Sequence, residues 1–179
     1  MQSTAFNKLQ SPPRTAIEVF EMLPEGTLAE VINNVLYMAP SPTVTHQVLV
    51  TNLGADLNIY VRENNLGLCM VAPVDIYLGN DNVLQPDIVF IATENLGVIQ
   101  NDKIKGVPDV IVEILSANKK HDLQRKKSLY EKFGVKEYFI IHQVNKEVTT
   151  YYYDGGKFIL QESKKGKLKS KLLKKTFAF

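Results

Sequence analysis

Apolar and polar residues alternate along the chain with two different periods, which predict a mixture of strands and helices. Short apolar runs predict strands at 28–32, 35–38, 68–78, 83–91, 109–115, 137–142, 147–153 and 157–162. Helices are predicted from about 15 to 23, 43 to 63 and 122 to 133. The segment 94–105 is expected to be irregular or to form a short helix. The pattern therefore predicts a mixed α/β (α+β) chain in which strands outnumber helices.

Local signals set the predicted boundaries of these elements. Thr15 and Glu18 have the spacing of a capping box, so the first helix is expected to begin there. Ser41 and Pro42 are expected to cap and open the second helix. The turn signals at 33–34 and 154–156 predict an N-terminal and a C-terminal hairpin.

Composition narrows the class of protein. The chain has 179 residues, of which 45% are hydrophobic and 22% are charged, as in an ordinary globular protein. We expect a loose leader at 1–14 and a single domain at 15–179. No apolar run is long enough to span a bilayer, and the N-terminus lacks the apolar core of a signal peptide. The single cysteine, Cys69, excludes an internal disulfide and a cysteine-based zinc cage and fits a reducing cytosol, so a cytoplasmic location is expected.

Charge is concentrated at one end of the chain. The net charge is only +2, but residues 161–179 contain seven lysines and one acidic residue. This lysine-rich segment, 163–175, has two interpretations that the sequence leaves open. It either contacts phosphate groups or forms a solvated edge strand and tail, where lysine commonly prevents edge-to-edge pairing.

The strand at 109–115 contains a candidate functional residue. Glu113 interrupts the apolar run VIVEILS, and a carboxylate in a sheet core costs several kcal/mol unless it is compensated. Asp87, in QPDIVFI, also opens an apolar strand, so the two carboxylates converge if their strands are neighbours. Converging carboxylates suit Mg²⁺ or Mn²⁺. In the alternative interpretation, Asp87 caps a turn and a buried cation neutralises Glu113.

The third helix supplies a candidate for that cation. In LQRKKSLYEKF, Lys126 shares a helical face with Leu123, Tyr130 and Phe133, so its side chain is expected to point inward. Glu113 and Lys126 are then either a plain salt bridge, whose contribution to stability is doubtful, or parts of a site that binds a metal and orients a water.

The order of several segments resembles the Uma-type restriction endonuclease family of the PD-(D/E)xK nuclease superfamily. The central segments are QPDIVFI, GVPDVIVEILS, a helix with Asp122, Lys126 and Tyr130 at intervals of four, GVKEYFII and YYYDGGKF. Upstream lie MLPEG, LAEVINNVLYM and APSPTVTHQ. The resemblance extends from about residue 15 to the C-terminus.

The resemblance implies a restriction-endonuclease-like fold, with a central mixed sheet flanked by helices, and Mg²⁺-dependent cleavage of DNA phosphodiester bonds. It implies that Asp87 and Glu113 bind the metal together with the Ile114 carbonyl. The superfamily lysine normally stands two residues after the glutamate, where this chain has Leu115, and the resemblance assigns its role to Lys126. The superfamily often dimerises, so a homodimer is one assembly that the resemblance allows.

Four further residues are predicted to line the cleft: Glu30, His46, Asp122 and Tyr130. For His46, a place in the core is favoured over a role as a ligand, because the residue lies on the apolar stripe of its helix. Where relatives read ELIDGEL, this chain reads EVINNVL, which keeps Glu30 but loses two acidic residues. The sequence therefore predicts a metal-dependent nuclease, and the alternative is a non-catalytic interaction or nucleic-acid-binding protein that retains the nuclease fold.

Overall fold

The described part of the chain contains two larger sheets, a small C-terminal hairpin and three α-helices. The computed structural model describes residues 12–115, 120–161 and 164–179, with the backbone alone at 120–122. The predicted leader therefore lies almost wholly outside the described residues. The architecture is a mixed α+β fold, which confirms the predicted fold class. No helix in the described part of the chain is long and apolar enough to cross a membrane.

The first sheet has six short strands in the order β2-β1-β5-β4-β8-β7. They are β1 (Ala29–Ile32), β2 (Val35–Met38), β4 (Ile76–Tyr77), β5 (Val83–Leu84), β7 (Ile99–Gln100) and β8 (Lys103–Lys105). The β1–β2 hairpin turns at Asn33 and Asn34, whose φ angles are 50° and 59°. Asparagine tolerates this left-handed conformation better than most residues, so the predicted hairpin forms at the expected position.

The second sheet has seven strands, in the order β12-β11-β10-β9-β6-β3, with β13 also paired to β11. They are β3 (Gly67–Val71), β6 (Ile88–Ala92), β9 (Val110–Leu115), β10 (Glu137–His142), β11 (Glu147–Asp154), β12 (Lys157–Leu160) and β13 (Lys164–Lys165). β9 runs antiparallel to β6, with Val112 opposite Ile88, and parallel to β10. In this register Asp87, the residue before Ile88, lies beside Glu113, the residue after Val112.

Two helices, α2 (Val44–Glu63) and α3 (Lys120–Phe133), cover opposite faces of this second sheet. The short α1 (Ala16–Phe20) packs on the first sheet instead. On one face, Leu53 and Leu57 of α2 share a core with Val112. On the other face, Leu129 of α3 shares a core with Ile111 and with the first sheet. Consecutive residues of β9 thus pack into cores on opposite faces of the sheet, which explains the continuous apolar run of this strand.

Two predicted strands are wrong because each is interrupted by a proline. The stretch 68–78 divides around Pro73 into β3 and β4, and 83–91 divides at Pro86 into β5 and β6. In both cases the two halves belong to different sheets. Proline has no backbone N–H to donate to a ladder, so it ends the pairing on each side. Within 94–105, a 3₁₀ helix at Thr93–Val98 precedes the β7–β8 hairpin.

The start of α2 also differs from the prediction. Thr43, rather than Ser41, is the N-cap, and its Oγ1 accepts a hydrogen bond from the backbone N–H of His46 (3.3 Å). Pro42 therefore precedes the helix instead of occupying its first turn. The cap places His46 in the first turn of α2.

The lysine-rich segment is folded rather than a loose tail. β14 (Lys167–Ser170) and β15 (Lys175–Ala178) form a two-stranded hairpin. Leu168, Leu173 and Phe177 are buried in the core that α2 covers, while all seven lysines are exposed. Buried Glu137 of β10 anchors the hairpin by accepting hydrogen bonds from Ser170 Oγ (2.5 Å) and the Lys171 and Leu172 amides (2.7 and 2.8 Å).

Candidate active site

Predicted site residues from five distant segments meet at one cleft. It has a volume of about 360 Å³ and lies where α2 begins, β9 ends and the first sheet approaches α3. Six of the predicted residues line it: Glu30, His46, Asp87, Glu113, Ile114 and Lys126. Tyr130 contacts the cleft from below through Glu113, whereas the side chain of Asp122 lies outside the described residues.

Asp87 stands at the entrance to β6, directly after Pro86. Its Oδ2 accepts a hydrogen bond from the Ile114 amide (2.6 Å), and its Oδ1 lies 3.2 Å from His46 Nε2. The first contact fixes the carboxylate beside β9, and the second joins it to α2. His46 therefore meets a carboxylate as well as the apolar stripe of its helix.

Glu113 is buried and surrounded by polar groups. It accepts hydrogen bonds from Tyr130 Oη (2.9 Å) and from Lys126 Nζ, which lies 3.1 and 3.3 Å from its two oxygens. Burial raises the pKa of Glu113 to about 7; Lys126 opposes this rise, and the negative charges of Asp87 and Glu30 add to it. The charge of Lys126 therefore offsets only part of the unfavourable effect that burial has on the ionised form of Glu113.

Lys126 connects the two sheets. Its Nζ lies 2.7 Å from Glu30 Oε1, on β1 of the first sheet, and 3.1 Å from Glu113 Oε1, on β9 of the second. The same oxygen of Glu30 accepts the backbone N–H of Gln85 (2.8 Å). The inward orientation predicted for Lys126 is what the structure has, because its side chain is only 8% exposed.

Tyr130 is fully buried one helical turn beyond Lys126. Burial raises the pKa of its hydroxyl well above the usual value, and the nearby negative charge of Glu113 adds to this. Tyr130 therefore stays protonated and acts as a neutral hydrogen-bond donor to Glu113.

Sequence reasoning missed the part played by Gln85. Its amide holds Glu30, while its side chain donates to Asp75 Oδ1 (2.8 Å) and to the Thr27 carbonyl (3.1 Å). A backbone donor leaves no trace in residue type. The signal in the sequence was the neighbouring Pro86, at which the apolar run divides into two strands.

The side chains fit a hard divalent cation held by few protein ligands. Three acidic residues, Glu30, Asp87 and Glu113, line the cleft together with Lys126. Across the described residues, no three His, Cys, Asp or Glu side chains are arranged as a ready metal cage. Mg²⁺ commonly uses one or two carboxylates and keeps several waters, and Asp87 and Glu113 with the Ile114 carbonyl offer such a set.

Comparison with known proteins gives two findings. A family model described as "Uma2: Putative restriction endonuclease" matches residues 16–174. A solved structure described as "a putative nuclease belonging to DUF820 from Anabaena variabilis" is similar in fold, with a TM-score of 0.68 and 19% sequence identity. The similarity covers 85% of this chain and 83% of that one. Among curated proteins, none matches the chain.

Proposed function

The chain belongs to the Uma2 family of restriction endonucleases, and from this premise we propose that it is a metal-dependent nuclease that hydrolyses DNA phosphodiester bonds. The observation that carries the proposal is the convergence of Asp87, Glu113 and Lys126 in one cleft. These residues come from two strands and a helix, and each was singled out by its residue type in the sequence.

Each side chain has a distinct task in the proposed reaction. Asp87, Glu113 and the Ile114 carbonyl would hold Mg²⁺ or Mn²⁺, which supplies a bound water of lowered pKa and offsets phosphate charge. Lys126 orients the attacking water and stabilises the negative charge that develops on the phosphate oxygens. His46 and Tyr130 restrain Asp87 and Glu113 through the contacts described above, so the two carboxylates keep their relative position.

A non-catalytic protein that keeps the same fold is the alternative, and one observation favours it. Glu113 and Glu30 share Lys126, and Asp87 contacts His46, so the carboxylates already have polar partners without a metal. An ion-pair network of this kind is also compatible with a purely structural role. The two functions differ in metal binding and in cleavage.

The test combines calorimetry with a nuclease assay. We expect wild-type protein to bind Mn²⁺ at one site and to cleave plasmid or single-stranded DNA when Mg²⁺ or Mn²⁺ is present, but not in EDTA. Asp87→Ala should lose both properties, since it removes a charged ligand. Asp154→Asn, in the exposed β11–β12 turn, is the matched control for loss of one carboxylate and should retain both.

Two results would contradict the proposal. One is an absence of Mn²⁺ heat and of cleavage in well-folded wild-type protein, which would favour the non-catalytic alternative. The other is equal Mn²⁺ binding by wild type and Asp87→Ala, which would remove Asp87 from the site.

A further inference from the structure

A single ammonium group is shared between carboxylates of two different sheets. Lys126 Nζ lies 2.7 Å from Glu30 Oε1 and at least 3.1 Å from the oxygens of Glu113. All three side chains are close to fully buried, with 8%, 11% and 9% exposed for Lys126, Glu30 and Glu113. Water therefore competes weakly for these contacts, and the position of the ammonium group depends on the two carboxylates.

If the proposed function holds, Glu113 and Glu30 have different roles. Glu113 also faces Asp87, so its oxygens are needed by a bound divalent ion. An ammonium group that stays on Glu113 competes with that ion for the same oxygens. Glu30 reaches Lys126 from β1 of the first sheet, and the same oxygen that contacts Lys126 also accepts the Gln85 amide.

We propose that Glu30 is a positioning residue that holds Lys126 in the cleft and leaves the oxygens of Glu113 available to the metal. This inference rests on the proposed function and adds to it a role for the first sheet. The β1–β2 hairpin is thereby part of the site, because it brings the carboxylate that fixes the lysine.

The local contacts provide a variant that isolates the charge of Glu30. In Glu30→Gln, the side-chain oxygen can still accept the Gln85 amide, so the backbone contact is preserved while the attraction to Lys126 falls. Asp75→Asn is the matched control, since Asp75 accepts a hydrogen bond from the same Gln85, whereas Glu30 and Glu113 form ion pairs with Lys126.

The first measurement is the affinity for Mn²⁺ by calorimetry. We expect Glu30→Gln to weaken binding by about 10- to 100-fold, the range typical when a group that orients metal ligands is removed. Asp75→Asn should have a clearly smaller effect. In a Lys126→Met background the effect of Glu30→Gln should shrink, because no ammonium group remains to compete for Glu113. Equal losses in Glu30→Gln and Asp75→Asn would overturn the inference, as they would show a general effect of charge.

The second measurement needs no metal. The rate at which an amine-acylating reagent modifies Lys126 in EDTA is followed by mass spectrometry of the Lys126 peptide. We expect faster modification in Glu30→Gln than in Glu113→Gln, because Glu30 holds the lysine in the latter. The reverse order would overturn the inference. If wild-type protein binds no Mn²⁺, the proposed function fails, and the acylation rates still decide whether Glu30 holds Lys126.

Discussion

Glu113 and Lys126 show how a buried charged pair can be recognised from the sequence, while a further contact of the same pair cannot. The position of Glu113 in an apolar strand is a conflict between residue type and environment, and the same applies to the inward-facing Lys126. Those conflicts predicted both residues and the contact between them. The contact of Lys126 with Glu30 could not be predicted, because it depends on how a hairpin of one sheet packs on a helix that covers another.

The first prediction concerns the substitution Glu113→Gln. We expect the free energy of unfolding in EDTA to stay close to that of wild type. The loss of stability should be much smaller than the roughly 3–5 kcal/mol that is lost when a buried pair is broken on one side. The reason is that Lys126 keeps Glu30 as a partner, while repulsion from Asp87 is relieved. Mn²⁺ binding and cleavage should be lost, since a neutral amide replaces an anionic ligand.

Chemical denaturation in EDTA and a nuclease assay with Mn²⁺ check this prediction. A large loss of stability together with unchanged cleavage would show that Glu113 is structural. Lys126→Met provides the comparison, because it leaves Glu30 and Glu113 both buried without a shared cation.

At the scale of elements, the attachment of the C-terminal hairpin depends on one buried side chain. Glu137 accepts three hydrogen bonds from residues 170–172. Burial raises its pKa above the usual value of 4.5, although these hydrogen bonds and Lys171 act in the opposite direction. The folded protein therefore binds a proton at Glu137 more tightly than the unfolded chain does.

The second prediction is a pH dependence of stability that Glu137 causes. A raised carboxyl pKa contributes stability below the unfolded value of 4.5, and this contribution is lost as pH rises from there through the folded value. The stability of wild type relative to Glu137→Gln should therefore decrease as pH rises above 4.5. Urea denaturation of both proteins, at several pH values from about 4 to about 8, measures the difference. Parallel profiles would contradict the prediction.

The elements that the sequence predicted well are those with strong local signals. The β1–β2 hairpin, the capping of α1 at Thr15 and the end of α3 before Gly134 all follow from residues within a few positions. The broken strands were missed because their apolar runs continue past Pro73 and Pro86, and apolar content alone does not reveal that one run serves two sheets. The β14–β15 hairpin was missed because its lysines mask the buried Leu168, Leu173 and Phe177.

For the whole molecule, the structure limits how the lysine-rich segment can be tested. Its deletion would remove buried apolar residues, so any loss of DNA binding would be confounded by unfolding. Six of the seven lysines divide into two groups instead. Lys164, Lys165 and Lys167 lie near the start of β11, at the end of the sheet that holds the cleft, whereas Lys171, Lys174 and Lys175 lie near the start of β10.

The third prediction uses these two groups. Lys164 lies on β13, which pairs with β11 and is therefore three strands from β9. This separation is roughly 14 Å at about 4.8 Å per strand. DNA in the cleft would reach that distance, so changing Lys164, Lys165 and Lys167 to Gln should weaken binding and flatten its dependence on log salt by about 0.9 for each phosphate that is no longer neutralised. Changing Lys171, Lys174 and Lys175 should leave the slope unchanged.

Fluorescence anisotropy with a labelled duplex at several salt concentrations, in Ca²⁺ to prevent cleavage, measures both slopes. Unchanged slopes in both variants would show that the segment is a solvated surface. Equal flattening in both would show a diffuse effect of charge rather than a path for DNA across this end of the sheet.

The parallel pairing of β9 with β10 has a consequence for the order in which parts of the site can form as the chain is synthesised. Adjacent antiparallel strands can pair as soon as their turn closes, but β9 must await the crossover through α3 before β10 can lie beside it. Glu113 is on the first of these strands, and Lys126 is within the crossover itself. During synthesis, the contact of Glu113 with Lys126 can therefore form only after α3 has emerged, and a chain that still ends in β9 lacks the lysine of the site.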